Sequence, residues 1–243
     1  MAIERVNIDG VKIFPFTSRE ELLDYAEAHP GIMVSVNAEI VLKSTPKTRA
    51  IINSNIGYCD GAGPLMALRS MGYDGAVKIA GCEFWHYIVE QNHQVKTFYL
   101  IGSTQQVIET TVSRLRAEFP DICILGYRNG YLQTDEERQT VIDDVAAKHP
   151  DVVFVAMGVP KQELLMEAML HRHRAIYLGL GGSFDVYTGK VRRAPKWWID
   201  HNMEWLYRLI HQPQRLVRQA ILVKFAWWIL IGRFKKKMSN KVK

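Results

Sequence analysis

The residue of this chain that is best suited to chemistry is an aspartate in the segment YCDGAGP. Asp60 follows an apolar run typical of a strand, and Pro64 indicates that a helix begins just after it. A carboxylate at such a strand end, between residues too small to obstruct a ligand, could act as a general base on a hydroxyl group. An aspartate that hydrogen-bonds to the backbone of its own turn is an equally consistent interpretation.

A lysine and a glycine-serine pair could supply compensating charge. Lys78 lies in the strand-like run VKIA, where its ammonium group could neutralise Asp60 or a phosphate and lower the pKa of the aspartate. A solvated lysine at a strand end is the alternative. Gly102 and Ser103 close the run KTFYLIG before a helical segment, which predicts that their backbone amides bind phosphate, although a simple strand-to-helix turn explains them equally well.

Two further segments contain groups that suit a phosphorylated sugar. GVPKQE combines a proline at a helix start, a lysine, and a glutamine whose amide both donates and accepts hydrogen bonds; a charged surface helix is the alternative. GLGGSFD is not a dinucleotide fingerprint, because Phe184 stands where the last glycine is required, so we exclude a nicotinamide cofactor. No DxD pair follows a strand. We therefore expect neither a metal nor a cofactor.

These candidate residues follow apolar runs that alternate with segments of helical period. The predicted strands are VNIDGVKIF, IMVSV, VKIA, KTFYLIG, ICILG, DVVFVAMG and AIYLGLG. The alternation predicts an α/β fold, with a Rossmann-like, mainly parallel sheet flanked by helices and a ligand crevice at the carboxyl ends of the strands. Three scattered cysteines without a CxxC pair are predicted to be reduced core thiols: Cys59, Cys82 and Cys123.

The charge of the chain changes sign along its length. Residues 190–243 hold 14 of the 31 Lys and Arg but only two of the 25 acids, so this tail carries +12 and the remainder −6. The tail also holds five of the six Trp, and its run AILVKFAWWILIG, followed by RFKKK, suits a surface of anionic lipid. At roughly 13 residues, that run is too short to span a bilayer, which needs about 20.

We therefore predict two domains, a catalytic domain over 1–189 and a basic, Trp-rich, helical membrane-binding appendage over 190–243. The N-terminus shows no secretory signal, which favours a cytoplasmic protein bound peripherally at the inner face of the cell membrane. Arg208, Arg215 and Arg218 could lie on one helix face and grip a lipid diphosphate, or simply face water. A nucleic-acid partner would leave the Trp-rich run unexplained, so we expect none. The tail could also pack on a second copy of the chain.

Seven segments, in order and across nearly the whole chain, resemble the WecG/TagA/CpsF glycosyltransferases, family 26. They are VNAEIV, YCDGAGP, FYLIGS, NGYL, VAMGVPKQE, GLGGSFDVYTGKVRRAPKWW and MEWLYRLIHQPQRLVRQ. The resemblance implies an inverting, metal-independent transferase with a Rossmann-like sheet. Such an enzyme would move an N-acetylmannosamine-type sugar from a UDP-sugar donor to undecaprenyl-diphosphate-linked N-acetylglucosamine (GlcNAc) in cell-surface polysaccharide synthesis.

The motifs VNAE and VAMGVPKQE favour the WecG branch, which uses N-acetylmannosaminuronate and serves enterobacterial common antigen. A TagA-like transferase of wall teichoic acid synthesis and an exopolysaccharide hexosyltransferase of the same family are alternatives. A membrane adaptor that senses a UDP-sugar without catalysis is the non-enzymatic alternative.

The resemblance also implies roles for individual residues. Asp60 would be the general base beside Asn37 and Ser35, Gln162 would hold the sugar or the diphosphate, and Lys78, where relatives have arginine, would make a single ammonium contact. Arginines of the appendage would close over the active site. The residues expected to bind substrate are Ser35, Gly61, Gly102, Ser103, Tyr131, Gly158, Lys161, Gly182, Asp185, Arg193, Arg208, Arg215 and Arg218.

Overall fold

The computed structural model describes residues 3–192, 194–195, 197–198, 206–207, 210, 223–225 and 227–234. In chain order its elements are β1 (Val6–Ile8), β2 (Val11–Ile13), α1 (Arg19–Ala28), β3 (Ile32–Val36), α2 (Ala38–Lys43), α3 (Pro46–Ser54), β4 (Ile56–Cys59), α4 (Ala62–Ser70), α5 (Gly81–Asn92), β5 (Thr97–Gly102), α6 (Gln105–Glu118), β6 (Cys123–Arg128), α7 (Asp135–Lys148), β7 (Val152–Ala156), α8 (Lys161–Leu170), β8 (Ile176–Gly179) and α9 (Ser183–Tyr187).

Strands β3 to β8 form one parallel sheet in the order β4-β3-β8-β7-β5-β6. Alternate residues of each strand enter two separate cores: Val153 and Val155 pack with α2, α3, α4, α7 and α8, whereas Val152 and Phe154 pack with α1, α5, α6 and α9. The predicted α/β fold with a parallel sheet flanked by helices is confirmed. Within the described ranges, no helix is long and apolar enough to cross a membrane.

Two of the predicted strands differ from the structure. The run VNIDGVKIF is a hairpin of β1 and β2, because Asp9 and Gly10 both adopt positive φ, the conformation of a two-residue hairpin turn. The run VKIA is not a strand. It lies beside the edge strand β4, where Ile79 N–H donates to Cys59 O at 2.9 Å, but Phe14 already pairs with Tyr58 along that strand. Because Phe14 occupies this edge of β4, the run VKIA cannot form a full ladder of hydrogen bonds with it.

The opposite edge of the sheet, β6, is largely half-exposed. Its pairing with β5 shifts between Phe98 and Tyr99, so that Leu125 is an extra residue in β6. The next position must be glycine, since a Cβ on Gly126 would lie 2.4 Å from the Tyr99 ring. Cys123 is exposed on this strand, so the prediction of a core thiol is wrong there. Cys59 is buried, Cys82 is half-buried, and none of the three forms a disulfide.

The described C-terminal residues return to the body of the protein. Phe225 and Phe234 are buried in the same core as the β1–β2 hairpin. Arg233 bonds to Asp9 in the hairpin turn at 2.8 Å, and its guanidinium lies 3.9 Å from the centre of the Trp228 ring. The boundary between two domains at residue 189 stays a prediction.

Candidate functional site

Asp60 and Asn37 are neighbours at the carboxyl ends of β4 and β3. The two strands pair Val36 with Cys59, so the residues that follow them emerge side by side, and Asp60 N–H donates to Val36 O at 2.9 Å. Asn37 caps α2 by accepting from Ile40 N–H at 3.0 Å. The Asn37 amide NH2 group has no hydrogen bond to any residue that the structure describes. The structure thus brings together the carboxylate and the amide that the sequence singled out.

Gly61 follows Asp60 and precedes the first residue of α4. Its φ of 103° favours glycine, and a Cβ there would lie 3.9 Å from the Asn37 Cβ. As the N-cap of α4 it carries no side chain that could cap the first-turn amides. The free amides at the start of α4 favour a negatively charged group nearby. The absence of a side chain at Gly61 therefore leaves space beside Asn37 and Asp60.

The segment 78–81 runs beside Asp60 even though it forms no strand. Gly81 N–H donates to Asp60 Oδ2 at 3.4 Å. Burial raises the pKa of the Cys59 thiol to about 12, with the negative charge of Asp60 adding to the rise and the positive charges of Lys78 and Arg69 opposing it. The charges of Asp60 and Lys78 therefore act on the same thiol, as expected if Lys78 lies on the Asp60 side of the crevice.

Ser35 lies in the layer beneath this pair. It faces Tyr58 across the β3–β4 ladder, and a Cβ on Gly81 would lie 3.1 Å from the Tyr58 hydroxyl and 3.4 Å from Ser35 Oγ. Burial and the charge of Asp60 raise the pKa of the Tyr58 hydroxyl well above its ordinary value. Ser35 thus lies next to the buried phenol that supports the floor of the site.

A second cluster occupies the carboxyl ends of β5 and β7. Gly102 has a φ of 144°, and a Cβ there would lie 2.4 Å from Ala156 O. The backbones of β5 and β7 are therefore in direct contact at this point. Ser103 N–H donates to Ala156 O at 3.0 Å. Pairing with β7 thus continues one residue beyond β5 and occupies the Ser103 amide, while phosphate binding by Gly102 and Ser103 stays a prediction.

The side chain of Ser103 connects this cluster to α9. Ser103 Oγ donates to Asp185 Oδ1 at 3.1 Å, and Lys190 Nζ lies 3.2 Å from the same oxygen. On the other side, Gly130 N–H donates to Ser103 O at 2.9 Å, which leaves the exposed Tyr131 beside the same loop. Three of the predicted UDP-binding residues, Ser103, Tyr131 and Asp185, thus surround the end of β5.

Gln162 links the loops that follow β7 and β8. Its buried side-chain oxygen accepts hydrogen bonds from Gly158 N–H at 3.1 Å and from Gly181 N–H at 3.0 Å. Its Nε2 donates to Glu163 Oε1 at 3.0 Å. Most of the hydrogen-bonding capacity of the amide is used within the protein, so Gln162 shapes the two loops.

Open space lies beyond these loops. A Cβ built on Gly158, Gly181 or Gly182 would meet no atom of the described residues within 4 Å. The N–H of Gly182 donates no hydrogen bond within the described part of the chain. Lys161 is exposed at the start of α8. A phosphorylated ligand could approach the backbone closely here, at the same edge of the sheet as Asp60.

We expect Gly182→Ala to weaken UDP binding without changing stability. Gly182 has a φ of −101°, which alanine adopts freely, and the added methyl meets no atom of the residues that the structure describes. The unfolding free energy should change by less than about 0.5 kcal/mol. UDP affinity measured by calorimetry should fall by about tenfold, equivalent to about 1.4 kcal/mol. Gly75→Ala, which adds a methyl at an ordinary contact of 3.5 Å from Thr17, is the matched control. Unchanged UDP affinity would remove Gly182 from the site.

Glu163 is a buried acid that the sequence analysis missed. It is 1% exposed, and burial raises the pKa of its carboxyl above the ordinary value of 4.5. The helical period was the available signal, because Gln162 and Glu163 share the buried face of α8 with Met166 and Met169. A charged residue at a buried helix position indicates a specific role.

The raised pKa of Glu163 predicts a pH dependence of stability. Above pH 4.5 the unfolded chain releases this proton while the folded protein retains it, so the unfolding free energy should fall by up to about 1.4 kcal/mol per pH unit. The fall should level off once the raised pKa is passed. Urea unfolding of wild type and Glu163→Gln, from about pH 4 to pH 8, should show the unfolding free energy of the variant rising relative to that of the wild type as the pH increases. Parallel curves would contradict the assignment.

Four of the predicted substrate-binding residues, Arg193, Arg208, Arg215 and Arg218, lie outside the described residues. The sequence of the chain matches the model of the glycosyl transferase WecG/TagA/CpsF family over residues 6–239. The match spans every element described above and nearly the whole tail.

Proposed function

Because the chain belongs to the WecG/TagA/CpsF family of glycosyltransferases, we propose that it transfers an N-acetylmannosamine-type sugar, preferably N-acetylmannosaminuronate, from UDP to undecaprenyl-diphosphate-linked GlcNAc. The observation that carries the proposal is the position of Asp60 beside Asn37, on the same sheet edge as the glycine loops of β5, β7 and β8. Enterobacterial common antigen is the surface polymer that this donor suggests.

The strand order supports one direction for the donor along the crevice. With about 4.8 Å between neighbouring strands, the ends of β4 and β5 lie ~19 Å apart. The uridine would contact Ser103, Tyr131 and Asp185, and the diphosphate would follow Gly158 and Gly182 with Lys161 nearby. The sugar would then point along β8 and β3 towards Asn37 and Asp60.

The proposed reaction is a single inverting displacement. The acceptor's 4-hydroxyl oxygen attacks the anomeric carbon from the face opposite UDP while Asp60 takes its proton. The bond between that carbon and the phosphate oxygen breaks, and UDP leaves with the electron pair. Lys78, helix N-termini and arginines of the tail would stabilise the developing charge without a metal ion.

Exposed apolar residues of the tail support contact with a membrane. Val223, Trp227, Leu230 and Ile231 are 56 to 80% exposed, and their spacing is that of one face of a helix. Phe225, in the same segment, is buried in the protein core. We therefore propose that residues 190–243 form an appendage that binds the anionic inner face of the cell membrane, with the catalytic domain over 1–189.

We expect the double variant Trp227→Glu, Leu230→Glu to bind lipid vesicles about 10²-fold more weakly than wild type, since each buried apolar side chain contributes ~1.5–3 kcal/mol. Sedimentation with phosphatidylglycerol vesicles measures the partition. Val95→Glu is the matched control, because Val95 is equally exposed but lies on the body. Equal partition of the double variant and the control would refute membrane contact through this face.

The decisive experiment for the function is product analysis. The full-length protein would be incubated with synthetic prenyl-diphosphate-GlcNAc, a panel of UDP-sugars and a chelator of divalent metals. A mass gain of N-acetylmannosaminuronate supports the proposal, whereas a gain of N-acetylmannosamine or another hexose assigns one of the alternative activities within the family. Binding of a UDP-sugar without any product would leave only the adaptor.

A further inference from the structure

Glu163 has an incomplete set of hydrogen bonds for a buried acid. Its Oε1 accepts from Gln162 Nε2 at 3.0 Å, whereas its buried Oε2 finds no partner in the described part of the chain. A buried carboxylate with an unpaired oxygen is costly, which agrees with the raised pKa of this group. A residue with this cost is expected to have a specific role, and its hydrogen bond with Gln162 indicates which.

The amide of Gln162 works in only one of its two orientations. Its oxygen must face the two N–H groups of Gly158 and Gly181, because a flipped amide would point N–H groups at N–H groups. The space around Nε2 is tight, since a Cβ on Gly179 would lie 2.5 Å from it. Glu163 Oε1 is the acceptor that Nε2 meets in the correct orientation.

We propose that Glu163 is a positioning residue: by accepting from Gln162 Nε2, it fixes the amide that ties the loop after β7 to the loop after β8. Gly158 and Gly181 belong to different loops and share one acceptor oxygen, so a turned amide releases both. The consequence for donor binding rests on the proposed function, which uses these loops for the diphosphate. The link between the two loops through Gln162 does not depend on the proposed function.

The test compares three variants of the full-length protein. Glu163→Leu removes the acceptor, Glu163→Met removes it with a flexible side chain, and Glu163→Gln keeps a side-chain oxygen that can accept from Gln162. Glu167→Leu and Glu167→Gln, one turn further along α8, are the matched controls. Hydrogen exchange of the Gly158 and Gly181 amides, followed by nuclear magnetic resonance, reads the loops directly. KM for the UDP-sugar, KM for the acceptor and kcat read the reaction.

In Glu163→Leu and Glu163→Met, exchange of both glycine amides should accelerate by about tenfold, the effect of losing one buried hydrogen bond, while exchange within β7 stays unchanged. KM for the donor should rise by a similar factor with KM for the acceptor unchanged, and Glu163→Gln should restore both readouts. Wild-type exchange rates in the two apolar variants would overturn the proposal. Accelerated exchange throughout β7, or failure of Glu163→Gln to restore the loops, would overturn it as well. If the wild type yields no product with any donor, the proposed function fails while the exchange rates still decide the role of Glu163.

Discussion

Replacing Asp60 by asparagine is expected to lower turnover by about 10² to 10⁴ while UDP affinity stays nearly unchanged. Asparagine has the shape of aspartate but cannot accept a proton from the attacking hydroxyl group. The Asp60 backbone N–H would still bond to Val36 O, so the end of β4 should keep its geometry. Steady-state kinetics of UDP release, together with calorimetry of UDP binding, measure the two effects separately.

Asp74→Asn makes the same change at an exposed position and serves as the control. Its kinetics should match those of the wild type. Equal losses of UDP affinity and turnover in Asp60→Asn would recast Asp60 as a residue that maintains the turn before α4, the alternative that its position in YCDGAGP leaves open.

Replacing Phe225 by alanine is expected to cost about 3–5 kcal/mol in the packing of the C-terminal residues on the body. The Phe225 ring is buried and lies 3.1 Å from the position of a Cβ on Gly63, which is itself 3.1 Å from Ala38. Ala38 begins α2 directly after Asn37, and Gly63 follows Asp60 in α4. Loss of the ring should therefore detach the residues around 225 from the two helices that begin at the proposed site.

Hydrogen exchange of residues 223–225 and 227–230, with guanidinium unfolding of the whole chain, measures this loss. Trp227→Ala, in the same segment but exposed, should change stability by less than about 0.5 kcal/mol. If the two variants behave alike, Phe225 does not anchor the tail.

The sequence predicted the fold well because strand-like runs and helical segments alternate along it, and that alternation permits few arrangements other than a parallel sheet with helices on both faces. It failed at the run VKIA, whose composition suits a strand. No composition reveals that Phe14 already occupies the neighbouring edge of β4. The hairpin of β1 and β2 was predictable from the Asp9-Gly10 pair, since such a pair between two apolar runs is typical of a hairpin turn.

The candidate site shows the same division. Asp60 could be found because it follows a strand, and Asn37 through the family resemblance; adjacent parallel strands bring the two together. The role of Gln162 could not be found in this way, since one of its partners, Gly181, is 19 residues away and comes close only because β7 and β8 are neighbours. The hydrogen bond from the Ser103 N–H to Ala156 O likewise depends on β5 and β7 being neighbours in the folded sheet.

The bulge at Leu125 makes the outermost strand of the sheet irregular. An outermost strand with unpaired N–H and C=O groups can recruit the same strand of another molecule and start a continuous intermolecular sheet. In β6 the extra residue interrupts the regular row of groups that such recruitment needs, and Arg128 adds charge near the strand's end. The irregular, charged edge of β6 therefore opposes the growth of an intermolecular sheet and favours separate copies of the chain.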